Sequence, residues 1–419
     1  MKVLLKSVII TSSSSHTEPT DILIENGIIT KIDKVINIEA DQIIQKENLH
    51  VSVGWMDCFA NFCDPGNEHK ETLETGSSAA AAGGYTEVML IPNTNPAIHN
   101  KSQVEYVVQR SKGLPITVHP IAAITKNSEG KELSEMYDMQ NSGAIAFSDG
   151  INAVQSSGIL LKALEYIKAV NGIIIQLPDD KNIAANGSMN EGLISLQLGL
   201  PGKPAIAEEI LITRDIELLR YTNSKIHFTG ISTKRSLEII IKAQKEDLKV
   251  SCSVTPYHLF FNDEDLKAYD TNLKVNPPIR TKQDMLALRK GIKDGVIDFI
   301  SSHHQPQHWD DKTCEFEYAK YGMIGLESVY GVAGICGISS NDFIKMQTEN
   351  IRKIFNVELP QIKTATSANL TLFVPELEYI FEEKNIFSKS RNSPYIGKKL
   401  KGKTFGIING DKLFLTEIN

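Results

Sequence analysis

The chain has 419 residues, 41% of them hydrophobic and 23% charged, the balance of a soluble globular protein with a sizeable core. A formal net charge of -7 argues against nucleic acid or an anionic membrane as the main partner. No apolar run approaches the roughly 20 residues that a membrane span needs. The opening MKVLLKSVII is interrupted by Lys6 and lacks a small-residue cleavage site, so it does not read as a signal peptide. Five scattered cysteines with no CxxC (Cys58, Cys63, Cys252, Cys314 and Cys336) read as reduced thiols and favour a cytoplasmic protein.

In chain order, DILIENGIITKI comes first and places Asn26-Gly27 between apolar runs, the dipeptide that tolerates the positive φ angles of a tight hairpin. Short β-prone runs follow at 87–91, 116–124, 144–147, 172–177, 225–230, 248–254 and 296–301. Most precede a segment of helical period. Leu160, Leu164 and Ile167 share one face, as do Leu237, Ile240 and Ile241, the latter helix with Ser232 as its expected N-cap. Thr281, with Asp284 three residues on, begins a third helix carrying Met285, Leu288 and Ile292. Near the end FGIINGDKLF repeats the hairpin signal at Asn409-Gly410.

Repeated β-then-α predicts an α/β fold, a (β/α)8 TIM-like barrel over 53–360, with a doubly wound sheet as the alternative. The two hairpins predict a small β domain assembled from both termini, 1–52 and 361–419. Neither GxGxxG nor GxxxxGK[ST] follows an early strand, so nucleotide binding has no motif behind it.

In a barrel enzyme the chemistry sits at the C-terminal strand ends. There the segment VGWMDCFANFCDPGNEHKETLETGSSAAAAGGYTEVMLIPNTNP (53–96) resembles the first strand and loop of dihydroorotases, cyclic amidohydrolases of the amidohydrolase superfamily. The likeness continues in order through GAIAFSDG, MNEGLISLQLGLPGKPAIAEE, HFTGISTKRS, VTPYHL, NPPIR, IDFISSHHQP, GMIGLES and SKSRNSPYIGKKLKGK. The resemblance implies the amidohydrolase-type barrel with its composite β domain, and a hydrolysis in which bound zinc activates water.

This sequence departs from the family's pattern where the zinc ligands stand. The first-strand histidine pair falls on Phe59 and Asn61, and two later histidines fall on Gln176 and Gly230. His303 replaces the aspartate that the family uses as general base. Asp149 survives from a carboxylate pair, and which member of that pair it corresponds to stays open. The arginine that grips substrate is Cys63 and a histidine that helps it is Gln307, while Asn93 and Asn276 remain as substrate-binding positions. The expectation is therefore no metal site and no zinc cofactor.

Other chemistry-bearing residues have plainer readings. His303, His304 and His308 read as solvated loop histidines, and His227 as a hydrogen-bonded core residue. Asp64 is expected to organise the Pro65-Gly66 turn. Cys63 has no histidine partner that would make it a nucleophile, and Lys398 to Lys403 reads as a solvated β-domain edge. The leading expectation is a catalytically inactive dihydroorotase-like protein of pyrimidine biosynthesis, a homodimer acting as structural or regulatory partner of aspartate carbamoyltransferase. The rivals are an active cyclic amidohydrolase with a rearranged site and a small-molecule sensor.

Overall fold

The structure is a computed structural model that describes residues 1–184 and 186–416. Eight parallel strands follow one another around a barrel: Trp55–Ala60, Tyr85–Leu90, Thr117–Ala122, Ala146–Phe147, Ile174–Gln176, Ile226–Phe228, Val250–Val254 and Phe299–Ile300. Each expected β-run contributes one. All six residues of the first strand and of the second are buried, because helices cover the outside while side chains fill the inside. The last strand closes on the first through local polar contacts. Ser302 N–H donates to Asp57 Oδ1 at 2.8 Å, Asn61 N–H donates to the His304 carbonyl at 2.9 Å, and the Ser301 hydroxyl donates to the Cys58 carbonyl.

The helices follow the expected faces. In Ser157–Ala169, Leu160, Leu164 and Ile167 are buried against the barrel. Helix Lys282–Lys293 is capped by Thr281, whose hydroxyl accepts the Asp284 N–H at 3.2 Å. Helix Lys234–Lys245 is capped by Thr233, not by the expected Ser232. Ser232 is engaged elsewhere: its N–H (2.9 Å) and its hydroxyl both donate to buried Glu208, and its hydroxyl accepts from Arg280 Nε at 3.0 Å. Ile241 is only half-buried, whereas Leu237 and Ile240 face the core.

A second eight-stranded sheet takes five strands from the N-terminal segment and three from the C-terminal one. Strand His50–Val53 joins the two sets, parallel to Lys2–Ile10 and antiparallel to Asn369–Ile380. The first hairpin turns at Asn26 (φ 50) and Gly27 (φ 79) as expected. The second turns one residue later than expected: Asn409 pairs with Lys412, so Gly410 and Asp411 form the loop. The two turns abut across Ala368, which donates to the Gly27 carbonyl at 2.8 Å and accepts from Gly410 N–H at 2.6 Å. The basic run lies on a stretch paired on one side only, as an edge does, and its lysines are exposed or half-buried. Strand Lys399–Asn409 gains its second neighbour only from Gly406 onward, and Lys399 and Lys401 reach across to Glu378 (2.6 Å) and Glu376 (2.7 Å).

At the N-terminal end of the first three strands, Arg352 is 1% exposed. Its guanidinium donates to Glu87 Oε1 at 2.7 Å and to the Gly54 carbonyl at 2.8 Å, and His119 Nε2 meets Glu87 Oε2 at 2.7 Å. Burial alone would raise the Glu87 carboxyl. The His119 hydrogen bond and the Arg352 charge outweigh it and hold Glu87 at about 2. His227 lies inside the barrel, bonded to Ser251 and Ser253 hydroxyls at 2.8 and 3.0 Å and stacked on Phe299.

Candidate functional site at the barrel mouth

Three of the positions singled out from sequence meet at the C-terminal strand ends. The rings of Phe59 and His303 stack with centroids 4.6 Å apart and planes at 29°. The His303 imidazole lies over Gly230: a Cβ at residue 230 would fall 2.6 Å from His303 Cε1. With His303 in this position, residue 230 has no room for a side chain. His303 Nε2 meets the Thr229 hydroxyl at 2.8 Å. Burial, with the charges His258 and His227 would carry, pushes the His303 imidazole down to about 3, so it is neutral at pH 7.

The backbone here is strained. Phe59 (φ 72), Cys63 (φ 60) and His303 (φ 45) are all non-glycine residues at positive φ. Each costs on the order of 1–3 kcal/mol, and such residues gather at functional sites.

The remaining ligand positions are spent on the protein's own groups. Asn61 Oδ1 accepts the Cys63 N–H at 2.8 Å. Gln176 accepts from Val154 N–H at 3.3 Å and donates to Asp215 at 3.2 Å. Asp149 takes the Thr125 N–H at 2.9 Å and its hydroxyl at 2.5 Å, and burial still raises the carboxyl to about 6. A zinc centre needs three or four imidazole, thiolate or carboxylate donors at ~2.0–2.3 Å. Among the described residues no three His, Cys, Asp or Glu side chains come together in that way. The donor set present at the mouth does not fit zinc.

Asn93 serves the backbone, donating to the Asp149 carbonyl at 3.1 Å and accepting from Ile151 N–H at 2.9 Å. Gly150 (φ 62) makes room for it, since a Cβ there would lie 1.7 Å from Asn93 Oδ1. Asn276 instead joins a buried cluster. Lys203 Nζ donates to both oxygens of Asp179 (3.0 and 2.8 Å) and to Asn276 Oδ1 (2.8 Å), and Asn276 Nδ2 donates to Asp179 at 3.1 Å. Lys203 and Asp179 were not singled out from the sequence. Their only signal was a charged residue at each of two strand-end turns, LPGKP and QLPDD.

Burial pushes the Cys63 thiol up to about 12, against the nearby Lys70 charge, so it is a thiol and not a nucleophilic thiolate at neutral pH. Lys70 Nζ also donates to Gln307 Oε1 at 2.8 Å. Asp64 does not bond within its turn. It accepts the Tyr106 hydroxyl at 3.0 Å and the Leu73 N–H at 3.4 Å, tying the loop to two helices.

The solvated-loop reading of the histidines holds only for His308, whose side chain is 44% exposed. His303 and His304 are buried. The Gly325 N–H donates to His304 Nδ1 at 3.2 Å, which leaves the Nε2 proton to face Glu71 at 3.4 Å. Glu71 is buried too, and takes the Lys389 N–H at 3.0 Å together with the Thr75 and Ser388 hydroxyls. Burial works to raise its carboxyl, but these bonds and His304 prevail and lower it. A loop followed by two histidines looked wet because the carboxylate it folds onto lies over 230 residues away.

Comparisons with known proteins agree on the ancestry of this arrangement. The family model described as dihydro-orotase-like matches residues 50–236. A dihydroorotase of Acetivibrio thermocellus is 39% identical over 93% of this chain and 93% of its own. One from Aquifex aeolicus is 38% identical over 99% of both. Among solved structures, the L-hydantoinase (dihydropyrimidinase) of Arthrobacter aurescens superposes with a TM-score of 0.85 over 98% of this chain and 95% of its own, at 21% identity. The dihydropyrimidinase of Brevibacillus agri does so with a TM-score of 0.82 over 99% and 95%, at 17% identity, a likeness of fold. With relatives of that identity along nearly its whole length, this chain belongs to the dihydroorotase-like family.

Proposed function

We propose that this chain is a non-catalytic dihydroorotase homologue of pyrimidine biosynthesis, a homodimer that acts as structural or regulatory partner of an aspartate carbamoyltransferase. The observation that carries the non-catalytic part is the His303 imidazole, stacked on Phe59 and lodged over Gly230. Opening a cyclic amide requires an activated water and a polarised carbonyl. Here the mouth offers a phenyl ring and two engaged amides, with a neutral imidazole too weakly basic at about 3 to take a proton from water near pH 7. The partner role rests on the intact scaffold around that mouth. The zinc cofactor of the family has no place in this reading.

A second reading is favoured by one specific observation: relatives 33–39% identical along most of the chain carry the name dihydroorotase. It makes this chain an active hydrolase of a cyclic amide C–N bond with a rearranged site. Turnover of dihydroorotate and of hydantoin, assayed on the purified chain with zinc supplied, separates the two. The non-catalytic reading expects no rate above the uncatalysed one. Turnover that disappears in His303→Ala or Asp149→Ala would overturn it. The partner role is tested by co-purification from the native source, where absence of a carbamoyltransferase sinks that role.

A further inference from the structure

At the opposite end of the barrel from the mouth, a cleft of about 770 Å³ opens beneath the N-terminal ends of the last four strands. Its walls carry Lys225, Lys249, Lys293, Lys345 and Lys353, with Asp294, Asp298 and Asp342 as the carboxylates. The two kinds of charge are used differently. Asp298 turns inward and accepts the Cys252 N–H at 2.9 Å, and burial raises its carboxyl to about 6. Asp294 is bridged by Lys290, a residue outside the cleft lining, and Asp342 accepts the Ser339 hydroxyl at 2.6 Å. Lys225 donates to Asn171 at 2.8 Å. The other four ammonium groups, on Lys249, Lys293, Lys345 and Lys353, have no hydrogen-bond or salt-bridge partner among the described residues, although the Lys353 charge is near enough to Asp298 to act on its carboxyl.

Lys293 and Lys353 lie in the last turns of helices, where a cation complements the helix dipole, whereas the helical segment of Lys345 runs on unbroken to Phe355. The dipole accounts for those two singly. It does not account for their convergence with Lys249, which precedes a strand, on one cleft in a chain of net charge -7. Between the lysines the lining mixes apolar Val250, Met346 and Ile354 with polar Ser251, Asn350 and Asn356. The volume falls within the ~300–1,000 Å³ of small-molecule sites.

We propose that this cleft binds a small organic polyphosphate of nucleotide type, its phosphates held by the four lysines and its ring system set against the mixed apolar and amide lining between them. Lysine ammonium groups neutralise phosphate as point charges, and an open cleft leaves the anion room for partial hydration. The site is independent of the reading of the mouth, on the other side of the barrel.

The test is calorimetric titration of the full chain with ATP, inorganic tripolyphosphate, adenosine and a polyglutamate peptide. The expected result is ATP binding with a Kd at or below about 1 mM, tighter than tripolyphosphate, with no heat from adenosine. The double variant Lys249→Ala/Lys353→Ala removes two exposed side chains and keeps the fold, checked by circular dichroism. It is expected to weaken ATP at least about tenfold, while Lys101→Ala, on a distant helix, leaves binding unchanged. Absence of ATP binding, or equal affinity in the double variant, overturns the site. Tripolyphosphate binding as tightly as ATP overturns the nucleotide assignment, and so does tighter binding of the peptide.

Discussion

At the C-terminal strand ends the charged groups are turned on one another: Lys203 on Asp179, Glu71 on His304. At the N-terminal ends of the last four strands, four exposed ammonium groups make no hydrogen bond or salt bridge among the described residues. A third arrangement closes the N-terminal ends of the first strands, where Arg352 is committed to Glu87 and two backbone carbonyls. The same barrel thus has one end satisfied from within and a patch at the other that is not. In dihydroorotase-like proteins the mouth is where a reactive centre belongs. Here the mouth has taken on the character of a core, and the unspent charge lies elsewhere.

The largest effect is expected where charge is most deeply committed. Arg352→Ala leaves Glu87 buried without its cation and should lower unfolding free energy by about 3–5 kcal/mol, read from urea denaturation midpoints. Lys203→Met strips Asp179 of its cation at the mouth and should cost about 3 kcal/mol by the same measurement. A loss below about 1 kcal/mol would mean that Asp179 is solvated and the mouth is not core-like. Gly230→His should cost about 2 kcal/mol, because the new side chain meets His303 and position 230 has φ +67. Adding His303→Asp should return part of that loss. If the two substitutions are simply additive, His303 is not what denies residue 230 room for a side chain.

A smaller, pH-dependent effect follows from His303. Its folded-state pKa of about 3 lies below the usual 6.5, so the unfolded chain binds the extra proton first. The stability it contributes is complete above pH 6.5 and is lost as pH falls toward 3. His303→Gln should therefore make the acid limb shallower, by about 1 kcal/mol at pH 5.5. Glu87, lowered from 4.5 to about 2, adds its own loss only in the more acidic window between those values. Smallest of all, Lys353→Ala at the open cleft should change stability by no more than about 0.5 kcal/mol, since its exposed side chain makes no hydrogen bond or salt bridge among the described residues.

The barrel was legible in the sequence because β-prone runs and helical periods depend on near neighbours. Each run around Val88, Ile175 or Phe228 became a strand, and Leu160, Leu164 and Ile167 became a buried face. Local signals failed where a distant residue competed. Ser232 was the expected cap until Glu208 engaged it, and the hairpin at Asn409 shifted by one because register is set across the sheet. At the mouth, residue identities showed that Phe59, Asn61, Gln176 and Gly230 could not supply imidazole ligands. They could not show that His303 occupies the space over Gly230, nor that Lys203 and Asp179 meet beside Asn276. Both depend on how loops from different strands converge.

The most direct test of the core-like mouth is the zinc content of the full chain, purified from zinc-supplemented culture without chelators or a metal-binding tag and measured by plasma mass spectrometry. Packing of His303 over Gly230 against Phe59 predicts less than about one tenth of an equivalent of zinc per chain. Near-stoichiometric zinc, lost when Asp149 or His303 is replaced by alanine, would contradict the account and make the mouth a metal centre.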